Sequence, residues 1–174
     1  MLIVCDKDYK VSGKLKIREE QAPYPNDEEV LIGVKSFGIN RPDLLQKKGL
    51  YPPPASASKI LGLECSGFVE KTGKKVKGIK EGDKVCALTA GGAYAEKVSV
   101  HQWHCFNIPK NLTFSEAAVL PEVFMTCWAN IFELGFLKQG DSILIHGGNS
   151  GIGCAAIQLA KWAGATVICS VRTE

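Results

Sequence analysis

The first two-thirds of the chain carries short apolar runs broken every few residues by Gly, Pro, Asn or Asp, and the last third switches to spacings of three and four. Runs of strand length fall at residues 30–34, 65–71, 84–88, 94–100 and 105–108, with Lys80-Glu81-Gly82-Asp83 supplying a turn before the third. Many short strands with such punctuation predict an antiparallel barrel or sandwich over residues 1 to about 110. One brief helix is predicted inside it, from Pro42 to Lys48. Proline at the first helical position gives up no hydrogen bond, and Gly49 can end the helix. Tyr51-Pro52-Pro53-Pro54 then reads as a stiff extended loop.

The period changes at Thr113-Phe114-Ser115-Glu116, whose spacing is that of a capping box and predicts a short helix through Leu120. Pro121 restarts the helix. Between residues 122 and 134, Val123, Phe124, Cys127, Ile131 and Leu134 recur at helical intervals, and Gly135 closes the element. This helix marks the join between a domain at 1–121 and another at 122–174. Residues 142–146 form a short apolar strand of the kind buried in parallel sheets. The turn Gly147-Gly148-Asn149-Ser150-Gly151-Ile152-Gly153 follows, then a helix over 152–163 carrying Ile152, Ala156, Leu159 and Ala163 toward the sheet, and a strand at 166–169.

A glycine triplet alone is weak evidence, but Gly148, Gly151 and Gly153 sit between a buried strand and a helix that returns to a second strand, which makes the turn a candidate dinucleotide site. Glycines let backbone approach a pyrophosphate, and a helix N-terminus offers it unpaired N–H groups and partial positive charge. Asn149, Ser150 and Ile152 share the turn and join the candidate contacts. At the end of the second strand, Ser170-Val171-Arg172-Thr173-Glu174 places a guanidinium where the extra phosphate of NADP would lie, so Ser170 and Arg172 favour NADPH, while Glu174 keeps NAD open. A strand-to-helix turn packed with small residues for structure alone is the competing reading.

Composition is that of an ordinary globular protein: 174 residues, 45% apolar, 22% charged. The net charge of +3 is small, and the lysines cluster mainly between residues 71 and 84, as in a solvated hairpin, so no nucleic-acid partner is expected. The four-residue apolar start is too short for a signal-peptide core, and no segment reads as a membrane span, which makes a cytoplasmic location the expectation. Seven cysteines without a CxxC pair suit neither a disulfide framework nor a four-cysteine zinc lobe. Cys86 and Cys169, inside apolar runs, are expected to be buried.

Gly38-Ile39-Asn40-Arg41-Pro42-Asp43, Gly49-Leu50-Tyr51-Pro52, Leu61-Gly62-Leu63-Glu64-Cys65-Ser66-Gly67, Gly82-Asp83-Lys84-Val85 and Gly92-Ala93-Tyr94-Ala95-Glu96, with the glycine turn, resemble the zeta-crystallin-like quinone oxidoreductases. These form the zinc-free branch of the medium-chain dehydrogenase/reductase superfamily. The resemblance implies a mixed α/β fold: a GroES-like β-barrel catalytic domain, then the first strand-helix-strand unit of a doubly wound Rossmann domain. It also implies that Asn40 and Leu63 stand where zinc-dependent relatives place a cysteine and a histidine, so no metal is expected. His101, His104 and Cys105 form the one metal-like cluster and fall in what the resemblance makes a peripheral segment.

The same resemblance implies hydride transfer from NADPH to a quinone or related conjugated carbonyl, with Asn40 and Tyr51 facing nicotinamide and substrate, Tyr51 as donor or oxyanion stabiliser, and Thr126 as a cofactor contact. Asn40 could equally cap its helix, Tyr51 pack on prolines, and Thr126 bond its own helix. Alternatives for the whole are an alkenal or enoyl double-bond reductase and a non-catalytic, crystallin-like protein. A homodimer is implied by analogy only. Residues 141–174 suffice for one strand-helix-strand unit of about thirty residues, whereas a dinucleotide fold needs two halves. The isolated chain is therefore expected to have little activity and an exposed strand edge at 167–170.

Overall fold

The computed structural model describes residues 1–5 and 14–172, which divide into two compact units, Met1–Pro121 and Glu122–Glu174. The first is antiparallel. Strands β3 (Glu29–Phe37), β4 (Glu64–Thr72), β5 (Lys84–Leu88), β6 (Lys97–His101) and β7 (Cys105–Asn107) make a five-stranded sheet in the order β6-β3-β4-β5-β7. A hairpin-like pair, β1 (Leu2–Cys5) and β2 (Lys16–Glu19), is tied to it by the Ile3–Ala95 bridge and by the Val4 N–H donating to the Tyr94 carbonyl at 2.8 Å. Alternation buries one side of each central strand, so Val30, Ile32, Val69, Val85, Val98 and Val100 share a core. The lysine-rich segment is the β4–β5 connection, as its charge suggested.

Two short helices belong to this unit. Helix α1 (Arg41–Lys47) has Pro42 in its first turn and ends at Gly49, whose φ of 68° is left-handed. Helix α2 (Phe114–Ala117) opens on the expected box: the Thr113 hydroxyl accepts from Glu116 N, and the Glu116 carboxylate accepts from Thr113 N at 2.8 Å.

The second unit is α3 (Pro121–Trp128), β8 (Ser142–His146), α4 (Gly151–Trp162) and β9 (Thr166–Ser170), with β8 and β9 parallel and in register from Ser142–Thr166 to His146–Ser170. Cys127, Ile131, Ile145, Ala155 and Ala156 form its core. The rings of Trp128, Phe132 and Trp162 cluster beside it at centroid distances of 4.8 to 6.4 Å.

Several expectations change. The helix predicted over 122–134 is α-helical only to Trp128 and continues as a π turn from Ala129 to Leu134. At the junction the Asn130 side-chain amide donates to the Thr126 carbonyl, which a straight α-helix would reserve for a main-chain N–H. In α4 the buried residues are Gly153, Ala155, Ala156 and Ala160, and Leu159 packs against the core as expected, whereas Ile152, in the first turn of the helix, is 39% exposed. Strand β8 buries Ile145 while Leu144 is 57% exposed, since the helices of this unit cover one sheet face. Cys169 is exposed for a related reason: β9 is an edge strand whose far side meets no other strand among the described residues. Contrary to the expectation that no segment reads as a membrane span, the run Phe114–Leu134 is long and apolar enough to cross a membrane by length and composition.

Candidate functional site

The glycine turn is built by interlocking main-chain bonds. Gly147 takes a φ of 71°, and its N–H and that of Gly148 both donate to the Ser170 carbonyl at 3.0 Å, fastening the turn to the end of β9. Ser150 is the N-cap of α4: its hydroxyl donates to the Gly147 carbonyl at 2.8 Å and accepts from Gly153 N at 3.0 Å. A Cβ at position 153 would overlap the Gly147 carbonyl oxygen and stand 2.8 Å from the Gly148 Cα, so only glycine allows the helix to start this close to the strand. Gly151 differs, because a Cβ there would meet nothing nearer than Val123 Cγ1 at 3.7 Å.

The N–H groups of Gly151 and Ile152 occupy the first two helical positions, where no intrahelical acceptor exists, and both residues are exposed. An anion seated there meets free donors and the positive end of a twelve-residue helix. Asn149 is exposed beside it. Ser150 is committed to capping, so its side chain holds the turn and has already spent its proton on Gly147.

The remaining candidates of this unit take different surroundings. Ser170 Oγ lies 2.9 Å from His146 Nδ1, and Arg172 is exposed two residues beyond the strand. Thr173 and Glu174 lie outside the described residues. Helix α3 packs on the start of α4 through Val123 and through Cys127, whose Sγ is 3.4 Å from the Ile152 carbonyl. Thr126, between them in sequence, directs its hydroxyl to Glu122 Oε1 at 3.4 Å.

In the first unit, Asn40 is the N-cap residue of α1 and the centre of a buried polar network. Its main-chain N–H donates to Asp43 Oδ2 at 2.7 Å, and its side-chain amide donates to Glu64 Oε1 at 2.8 Å. The Tyr94 hydroxyl donates to the same Asp43 oxygen at 3.0 Å. Asp43 and Glu64 are each 1% exposed, and Asp43 Oδ1 has no hydrogen-bond partner among the described residues. Burial, the Asp43 charge and the bond to it, and then the Glu64 charge hold the Tyr94 phenol well above its ordinary pKa. Asn40 is thus fixed at both its backbone and its side chain. Tyr51 sits in the following loop, 48% exposed, with no bond to its hydroxyl among the described residues.

Sequence reasoning assigns no role to Asp43, Glu64 or Tyr94. Asn40 and Asp43 stand at capping-box spacing, and Glu64 interrupts an apolar run, so both signals were present. No group of three or more His, Cys, Asp or Glu side chains converges as a metal site among the described residues. His101 and His104 lie with ring centroids 5.9 Å apart, and His101 Nδ1 accepts from Trp103 N at 3.3 Å.

Residues 26–110 match the alcohol dehydrogenase GroES-like domain family. The mouse synaptic vesicle membrane protein VAT-1 homolog-like is 38% identical over 149 residues, which are 86% of this chain and 36% of that protein. The structure of Escherichia coli quinone oxidoreductase complexed with NADPH superposes with a TM-score of 0.82 at 32% identity, over 99% of this chain and 52% of the other. The CurK enoyl reductase does so with a TM-score of 0.86 at 29% identity, over 97% and 53%. The chain therefore spans about a third of that vesicle protein and about half of each solved structure.

Proposed function

We propose that this chain, whose residues 26–110 match the alcohol dehydrogenase GroES-like domain family and which resembles a quinone oxidoreductase of known structure, belongs to an NADPH-dependent reductase of quinones or related conjugated carbonyls of the medium-chain dehydrogenase/reductase superfamily, working without zinc. The observation that carries this reading is the turn from Gly147 to Gly153, with its overlapped glycine, its free first-turn amides and Arg172 just past the strand to which it is bonded.

When bound, reduced nicotinamide supplies the hydride and so the difficult chemistry. The chain's own residues divide the remaining work. The Gly151 and Ile152 N–H groups would hold the pyrophosphate, and Arg172 with Ser170 would hold the 2′-phosphate, a guanidinium being suited to bidentate bonds. Asn40, clamped by Asp43 and Glu64, would serve as a substrate contact with little freedom left to lose. The Tyr51 hydroxyl donates to the substrate oxygen as negative charge develops there and can pass its proton on.

A double-bond reductase is the second reading, supported by the likeness to the CurK enoyl reductase, because the same cofactor and the same class of cleft serve both reactions. Acceptor profiling separates the two: a saturated ketone product marks the second. The cofactor reading is tested by calorimetric titration of the chain with NADPH and with NADH. NADPH is expected to bind more tightly, and Arg172→Ala is expected to remove about tenfold or more of that preference while leaving NADH unchanged, given about 1.5–3 kcal/mol for a charge-assisted bond. Binding of neither nucleotide, or a preference untouched by Arg172→Ala, would overturn it.

A further inference from the structure

Five of the seven cysteines are buried, and two, Cys154 and Cys169, are exposed. The exposed pair come from different elements, the first turns of α4 and the end of β9, yet both touch Gly148. Cys154 Sγ is 3.7 Å from the Gly148 carbonyl oxygen. Cys169 packs on the Gly148 Cα so closely that a Cβ there would stand 2.8 Å from Cys169 Cβ and 2.9 Å from its sulfur. Burial raises the thiols of Cys65, Cys86 and Cys127 and pushes that of Cys105 up to about 12, which disfavours their thiolates.

We propose that Cys154 and Cys169 form a covalent modification site for soft carbon electrophiles, α,β-unsaturated carbonyl compounds and quinones, and that an adduct on either sulfur closes the glycine turn to a dinucleotide. The second part rests on the reading of that turn as the pyrophosphate seat. In the step itself the thiolate forms a C–S bond to the electrophile's β-carbon, and the double-bond pair moves onto the enolate. A proton equivalent to the one the thiol lost returns to the α-carbon, or to oxygen when a quinone becomes a hydroquinone thioether. The net change is addition of S–H across a conjugated bond, with no outside oxidant or reductant.

Space decides the consequence. An adduct on Cys169 must cross Gly148 or push β9 outward, and β9 is held there by the two bonds from Gly147 N and Gly148 N to the Ser170 carbonyl. An adduct on Cys154 occupies the approach to the first turn of α4. The acceptors proposed for the enzyme are themselves such electrophiles, so the cofactor-free turn is the vulnerable form and bound cofactor is its shield.

The test treats the chain briefly with N-ethylmaleimide and maps the adducts by mass spectrometry, with and without NADPH, in the native chain and in Cys154→Ser, Cys169→Ser and the double variant. Expected are labelling of Cys154 and Cys169 at least tenfold ahead of the five buried cysteines, slower labelling under NADPH, and a tenfold or greater loss of NADPH affinity in the labelled chain. The double variant should keep its affinity after the same exposure. Equal labelling of all seven, or undiminished affinity in the labelled chain, would overturn the proposal. If the untreated chain binds no NADPH, the dinucleotide reading fails by itself. Hydrogen exchange then decides the present one: adducts should speed exchange at the Gly147 and Gly148 amides, and unchanged exchange would end it.

Discussion

Replacing Gly153 by alanine sets two backbone effects against each other. Alanine gains about 1 kcal/mol over glycine in helix propensity. Against this, the new methyl would overlap the Gly147 carbonyl oxygen and stand 2.8 Å from the Gly148 Cα, so the turn must open by at least about 0.6 Å to reach ordinary contact at 3.4 Å. The obstructing atoms are main chain and cannot rotate aside, and overpacking of this sort costs about 1–3 kcal/mol. Opening also stretches the Ser150 cap on Gly153 N, worth about 1 kcal/mol. The balance is a loss of about 1–3 kcal/mol. Gly151→Ala is the control: its methyl meets only Val123 at 3.7 Å, so it should be neutral or stabilising by up to about 1 kcal/mol. Urea unfolding followed through Trp128 and Trp162, in a Trp103→Phe background, gives both values. If Gly153→Ala proved as stable as Gly151→Ala, the close approach of helix and strand would not be what the glycine secures.

Tyr94→Phe removes one of the donors to buried Asp43, whose other oxygen already lacks a partner. It should destabilise the first unit by about 1–3 kcal/mol in chemical unfolding. Because the folded Tyr94 pKa is raised, its contribution is full below the ordinary phenol pKa of 10 and is lost as pH rises above it, so the native chain should lose stability above pH 10 more steeply than the variant. Glu116 works in the opposite direction: the Thr113 N–H and hydroxyl hold its carboxyl below the usual 4.5, so its capping contribution is present above that value and fades as pH falls below it. Glu116→Gln should abolish that part of the acid sensitivity in a series of urea titrations. Ile168→Lys places a charge on the exposed face of the edge strand, where Ile168 is 58% exposed beside Leu144. Solubility at high concentration should rise in the variant relative to the native chain; unchanged solubility would mean that this apolar face does not limit it.

Local rules read well from the sequence wherever one residue decides the geometry. Thr113 and Glu116 announced their cap, Pro42 and Gly49 bracketed α1, and the glycine turn fell between the strand and helix expected of it. What escaped depended on neighbours distant in sequence. The exposure of Cys169 and Leu144 follows from what covers a strand, which an apolar run cannot announce. The π turn at Ala129–Leu134 accompanies a bond from the Asn130 side-chain amide to the Thr126 carbonyl, a detail invisible to a count of apolar spacings. In the first unit, Asn40 was legible as a cap, but its clamp by Glu64 joins residues twenty-four apart through a strand, and only the fold brings them within 2.8 Å.

The bond that fastens the turn to β9 is made by the carbonyl of residue 170, a group every amino acid carries. Side chains at 170 and 172 can therefore be exchanged without loosening Gly147 or Gly148. On the proposed reading of the turn, the seat for a dinucleotide's shared part and the choice between its two phosphorylation states would be separately editable, with nucleotide preference set at two surface positions and the glycines left alone.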